Sequence, residues 1–147
     1  MTSSSPRPTR LGRAAFRIFR PIATRWLDND VYGHVNNVYY YAYFDSAVNG
    51  WLIEKGLLSI AESAIVGMVV ETGCTYFESV MFPDALEAGI AVASLGRSSV
   101  RYRVAIFKEG AAMAAAQGHF VHVYVDRASQ RPVEIPADTR AALATLA

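Results

Sequence analysis

The stretch Asp28-Asn29-Asp30-Val31-Tyr32-Gly33-His34-Val35-Asn36-Asn37 gathers acids, a glycine, a histidine and a pair of adjacent amides just before a long apolar run. A carboxylate there can take a proton from water or itself attack a carbonyl carbon. The run that follows has helical spacing, and a helix N-terminus offers unpaired N–H groups and a partial positive charge. That end suits an oxygen that turns negative during acyl transfer. Taken singly, the same residues have plainer uses. Asp30 and Gly33 suit a turn, His34 suits the surface, and Asn36 or Asn37 can cap the helix.

The elements that would hold this segment follow from residue periodicity. From Asn37 to Lys55, Tyr40, Tyr43, Phe44, Ala47 and Trp51 fall on one side of a helix and Val38, Tyr41, Val48 and Leu52 on another. A helix apolar nearly all round is expected to be buried, and Gly56 stands where a left-handed residue would end it. Upstream, Ala15 to Leu27 reads as an opening strand interrupted at Pro21, which lacks a ladder donor. Downstream, Ile65 to Phe77 and Leu86 to Leu95 read as extended. Val100, Tyr102, Val104 and Ile106 alternate with Arg101, Arg103 and Ala105. Lys108-Glu109-Gly110 looks like a hairpin turn. Ala111 to Gln117 favours helix by propensity but is assigned to the returning strand, which continues through Val121, Val123 and Val125. A short helix is expected after Pro136. About five strands and one long helix make an α+β domain.

The chain has 147 residues, 52% of them hydrophobic, which suits one domain with a full core. Fourteen basic residues against 13 acidic ones leave no field to attract nucleic acid or an anionic membrane. No apolar run approaches the roughly 20 residues that span a bilayer. Residues 1–13, rich in Ser and Arg, are expected to form a disordered polar tail, and 14–147 the domain. An organelle-targeting role for the tail is a lesser alternative. A single cysteine, Cys74, fits a reducing compartment, so a cytoplasmic location is expected.

The joined segment Asp30-Val31-Tyr32-Gly33-His34-Val35-Asn36-Asn37 resembles the Asp-x-x-Gly-His-Val-Asn-Asn signature of hot-dog-fold thioesterases of the 4-hydroxybenzoyl-CoA thioesterase type. The resemblance runs from about Phe16 to Ile135. It implies a curved antiparallel sheet wrapped around one long helix. It also implies an enzyme that hydrolyses thioesters of coenzyme A, or of acyl carrier protein, without a cofactor. By the same carry-over Asp30 is the catalytic carboxylate, the Asn37 backbone N–H is the oxyanion donor, and His34 positions water or Asp30. Gly33, Val35 and Asn36 would contact substrate, and Arg97, Ser98 and Ser99 would grip the phosphates of coenzyme A. Members of the family pair edge to edge and often pair again, so a homodimer or homotetramer with interfacial sites is implied. The rival readings are an acyl-CoA-binding module without turnover and, less favoured, an enoyl-thioester hydratase or dehydratase.

Other chemistry-bearing residues carry less. Asp45, fifteen positions after Asp30, needs a partner within an apolar helix, and a structural pairing is expected. Cys74 lies in an apolar extended run, where a thiol packs and does not react. His119 and His122 alternate on opposite faces of a strand and cannot readily share a metal ion, so no metal site is expected.

Overall fold

The computed structural model describes residues 6–147, and their order explains how the loop before the helix is held. Strand β1 spans Ile18–Ala23, helix α1 Val38–Glu54, β2 Ile65–Tyr76, β3 Ala85–Leu95, β4 Ser99–Lys108, β5 Ala116–Asp126 and helix α2 Ala137–Ala144. The strands form one antiparallel sheet in the order β1-β3-β4-β5-β2. Pro21 stands in β1 opposite Glu87. An edge strand tolerates its missing N–H.

Helix α1 crosses the concave face of the sheet. Its buried residues Tyr40, Tyr43, Phe44, Ala47, Val48, Trp51 and Leu52 recur at spacings of three and four, so one stripe meets the sheet. They pack on Leu86, Ile90, Val100, Tyr102, Val104, Ile106 and Phe120. The expectation of burial all round is corrected here. Val38, Ala42, Asp45 and Ser46 are exposed in the single chain, because a five-stranded sheet covers only one side of a helix. At the helix end Gly56 adopts a φ of 72° and gives its N–H to the Ile53 carbonyl, as its left-handed conformation allows.

A second, smaller core lies on the convex face, where Phe16, Ala91, Ala105, Phe107 and Ala114 bury one another against Leu11 and Phe19. Residues 7–13 run along it. Leu11 N–H donates to the Gln117 side-chain oxygen at 2.8 Å, and the same side chain donates to the Thr9 carbonyl at 2.7 Å. The segment read as a free tail is therefore held from Arg7 onward, through hydrogen bonds that its polar composition did not announce. Its first five positions lie outside the described residues. The returning strand also starts later than expected, at Ala116. Ala111–Ala115 forms neither helix nor ladder, because Ala115 is bonded to Ile106 on one side and accepts from Phe77 and Glu78 on the other, while Met113 bridges to Gly12.

Candidate functional site

The loop between β1 and α1 is bolted at its base by an acid that sequence reading passed over. Asp28 ends a short 3-10 turn, Trp26–Asp28, and its side chain is fully buried. It accepts hydrogen bonds from Tyr43 Oη at 2.6 Å, Arg25 Nε at 2.9 Å and the Arg25 backbone N–H at 3.0 Å. Burial works against its charge, but the Tyr43 and Arg25 bonds outweigh that and hold the carboxyl below its ordinary value. Burial, together with the Asp28 bond, drives the Tyr43 hydroxyl well above its own. The signal was present in the sequence: a basic residue three positions before an acid, and a buried tyrosine on α1 whose hydroxyl must find an acceptor.

Above that bolt the backbone closes on itself. Asn36 N–H donates to the Asp28 carbonyl at 2.8 Å, Asp30 N–H to the His34 carbonyl at 2.9 Å and Gly33 N–H to the Asp30 carbonyl at 3.1 Å. Gly33 turns the chain with a φ of 81°, a conformation that other residues reach only under strain. Val35 N–H reaches the Val80 carbonyl at 2.8 Å, and Phe82 N–H reaches the Asn29 side chain at 3.0 Å. The Asp30 carboxylate accepts one bond, from Tyr32 N–H at 2.8 Å, which fixes its direction and leaves its remaining lone pairs free of protein partners among the described residues.

At the start of α1 the two amides divide the work. The Asn36 side-chain oxygen accepts from Val38 N–H at 3.1 Å and so caps the helix. The Asn37 carbonyl accepts from Tyr76 Oη at 3.1 Å. Among the described residues the Asn37 backbone N–H has no hydrogen-bond partner, although the N–H groups on both sides of it do. A cavity of about 440 Å³ opens there, lined by Asp30, His34, Val35, Asn37, Tyr40 and Tyr76, with Glu78 on its rim. The Tyr40 and Tyr76 rings meet edge to face at 4.9 Å. The cavity thus combines a carboxylate, an imidazole, an open N–H donor and an aromatic wall. This set can activate water toward a carbonyl carbon and hold the resulting oxyanion.

The other candidates lie elsewhere. Gly33 and Asn36 shape the loop and the cap without lining the cavity. Arg97, Ser98 and Ser99 sit at the opposite end of the sheet, since Ser99 pairs with Val123 and Met68 pairs with Val123 from the other side, whereas Tyr76 ends β2 eight residues further on. The Arg97 carbonyl is taken by Ile135 N–H and the Arg140 guanidinium. Asp45 is exposed and bonds Asn49 at 2.9 Å, away from the cavity. Burial pushes the Cys74 thiol up to about 11, so little thiolate forms at neutral pH. His119 lies 3.6 Å from Glu71, while His122 faces the core with 1% of its surface exposed. Among the described residues no three His, Cys, Asp or Glu side chains converge as a metal site would need.

The family model described as the thioesterase-like superfamily matches residues 24–143, a span that contains the loop, α1 and the whole sheet beyond β1. The chain belongs to the thioesterase-like superfamily. Its five strands and single central helix form a hot-dog fold. The crystal structure of the PA5185 protein from Pseudomonas aeruginosa is 54% identical, superposes with a TM-score of 0.92 and aligns over 94% of this chain and 96% of that one. The BH1999 gentisyl-coenzyme A thioesterase has a TM-score of 0.75 at 23% identity, over 86% of this chain and 99% of that one, and shares the fold. The protein YsmA from Bacillus subtilis is 24% identical over 88 residues. That match spans 60% of this chain and 59% of YsmA. No helix among the described residues is long and apolar enough to cross a membrane.

Proposed function

We propose that the protein hydrolyses acyl thioesters of coenzyme A or acyl carrier protein, with Asp30 as the catalytic carboxylate. The observation that carries this reading is the convergence of Asp30, His34 and the unpartnered Asn37 N–H on one cavity. Asp30 takes a proton from water as the oxygen adds to the thioester carbonyl. The oxyanion accepts from Asn37 N–H at the helix start. Collapse of the tetrahedral intermediate breaks the C–S bond, and the departing thiolate recovers the proton from Asp30. A direct attack by Asp30, giving a mixed anhydride that water then cleaves, uses the same groups. His34, exposed at the mouth, orients the water. A similar fold in a gentisyl-coenzyme A thioesterase supports coenzyme A as the carrier, and the Tyr40–Tyr76 wall suits an acyl or aroyl group.

The working unit is a dimer or tetramer. Strand β2 is an edge, and Met68, Val69 and Val70 on it are each more than two-fifths exposed. Long apolar edges of this kind are normally covered. Val31 and Tyr32, 94% and 81% exposed beside the cavity, belong to the same reading, in which a second copy completes the wall. Arg97, Ser98 and Ser99 enter only from across such an interface. The lone half-buried thiol suits a reducing compartment such as the cytoplasm.

Release of free thiol from a panel of aliphatic and aromatic acyl-CoA esters tests the proposal. Hydrolysis by the wild type with near-complete loss in Asp30→Asn is the expected result. Binding of acyl-CoA without thiol release would make the protein a carrier instead. Single-turnover reaction in labelled water identifies an anhydride that water opens at the aspartyl carbon, because that cleavage places label in Asp30 and general-base hydrolysis never does.

A further inference from the structure

The residues that close one side of the cavity are held from outside by the N-terminal strap. Tyr76, Phe77 and Glu78 are consecutive and all line the cavity. The Arg7 guanidinium donates to the Tyr76 carbonyl and lies 4.8 Å over the Phe77 ring. Arg10 lies 5.9 Å from the same ring and pairs with Glu78 at 3.0 Å. Lys108, at the end of β4, reaches the other Glu78 oxygen at 2.9 Å. One carboxylate on the rim therefore faces two cations, with the Arg7 guanidinium as a third on the two residues before it. Arg7 meets no carboxylate among the described residues, and the five residues before Pro6 contain no acid.

Ion pairs this exposed add little to stability, so two cations on Glu78 and a third, Arg7, with no acid of its own among the described residues are more than anchoring the strap requires. Their surplus charge stands beside a cavity whose thioester substrates bring phosphate with them. Coenzyme A and the prosthetic arm of acyl carrier protein both carry phosphate at the far end of the thiol-bearing arm. Guanidinium groups bind phosphate through paired, charge-assisted hydrogen bonds. The basic turn at Arg97–Ser99 lies at the other end of the sheet and does not line this cavity.

We infer that Arg7 and Arg10 of the N-terminal strap, with Lys108, form the phosphate-binding rim of the Asp30 cavity and select thioesters whose carrier arm is phosphorylated. This rests on the thioester reading above. The strap then does two things: it covers the convex core through Leu11 and Phe16, and it presents its arginines at the cavity mouth.

The test compares three substrates with the same acyl group: acyl-CoA, acyl carrier protein thioester, and the N-acetylcysteamine thioester, which has no phosphate. In Arg7→Gln/Arg10→Gln, kcat/KM for the phosphorylated substrates relative to the phosphate-free one should fall by about tenfold or more, through KM. Added salt should lower the same ratio in the wild type. A fall for acyl-CoA alone assigns the rim to the nucleotide phosphates. A fall for both carriers assigns it to the phosphate they share. Arg7→Glu, which leaves the Arg10 bonds to Glu78 and the Ala114 carbonyl intact, repeats the test if the double variant folds poorly. A ratio that does not move in either variant overturns the inference while leaving hydrolysis standing. If the wild type releases no thiol, calorimetric titration with coenzyme A decides. Binding that is lost in Arg7→Glu supports the rim without the hydrolase, and absence of binding, or binding that persists in the variant, overturns it.

Discussion

The two ends of the sheet are both rich in polar side chains, yet they use them in opposite ways. At the end where β2 reaches Tyr76 and β5 begins at Ala116, Asp30, His34 and the Asn37 N–H face an open cavity, over a loop whose backbone is bonded at almost every turn. At the other end, where Val100 pairs with His122, the polar groups are sealed or already engaged. His122 is 1% exposed between the Tyr102 and Phe120 rings, its Nδ1 has no hydrogen-bond partner among the described residues, and burial pulls its pKa down to about 4. The carbonyls of the Gly96–Ser98 turn are held by Arg140, Ile135 and Tyr124. Chemistry needs polar groups that are fixed by the protein but still open to a ligand, and one end alone supplies that combination.

The comparison breaks most sharply at Asp30. Asp30→Asn should lower kcat for thioester hydrolysis by roughly 10²–10⁴-fold, the usual cost of losing a general base. Tyr32 N–H can still bond the amide oxygen, so the thermal midpoint and acyl-CoA affinity should barely move. A variant that kept more than about a tenth of kcat would remove the carboxylate from the mechanism.

At the sealed end the largest effect is on stability and its pH dependence. The folded state keeps His122 neutral, whereas an unfolded chain protonates it at its ordinary value of 6.5. The unfolded state therefore binds the extra proton first. Stability is whole above pH 6.5 and declines as pH falls toward about 4, by about 3 kcal/mol in all. His122→Phe should flatten that part of a denaturant-midpoint profile while leaving neutral-pH turnover close to wild type. An unchanged slope would mean that the imidazole is not sealed.

Asp28 tests whether the open end depends on its buried bolt. Asp28→Asn keeps the size but loses the charge that Arg25 and Tyr43 satisfy, at a cost of about 1–3 kcal/mol. Turnover should fall with it, since Asp30 stands two residues away on the same closed loop. Stability lost with turnover intact would separate the bolt from the chemistry. His34→Ala should cost about tenfold in kcat, less than Asp30→Asn, as positioning effects usually do. The order would reverse if the imidazole were the base. Arg97→Ala should change kcat/KM by no more than about twofold, as surface changes generally do. A larger effect would mean that the turn of a second copy reaches across to the cavity.

Much of this was legible in advance. The helix from Asn37 to Lys55, the Gly56 stop and the alternating strands rest on local rules of periodicity and turn chemistry, which act over a few residues and so can be read from them. The motif from Asp30 to Asn37 likewise showed where a carboxylate meets a helix start. What could not be read depends on residues far apart in the chain. The strap was mistaken for a free tail because Leu11 and Thr9 are held by Gln117, more than a hundred residues away. Ala111–Ala115 was assigned to a strand because nothing nearby reveals that Ala115 is shared between Ile106 and the Phe77–Glu78 turn.

The sequence by itself determined the α+β class, the long helix with its ends and the residue types of the Asp30 loop, because each follows from interactions along a single short segment. Tertiary structure alone decided that Asp28 is sealed and Asp30 open, although the two stand two positions apart in the same loop. It also decided that Arg7, Arg10 and Lys108 touch the Tyr76–Glu78 wall of the cavity, whereas Arg97 lies at the other end of the sheet. Burial and charge proximity are properties of distance in space, and folding sets that distance independently of distance along the chain.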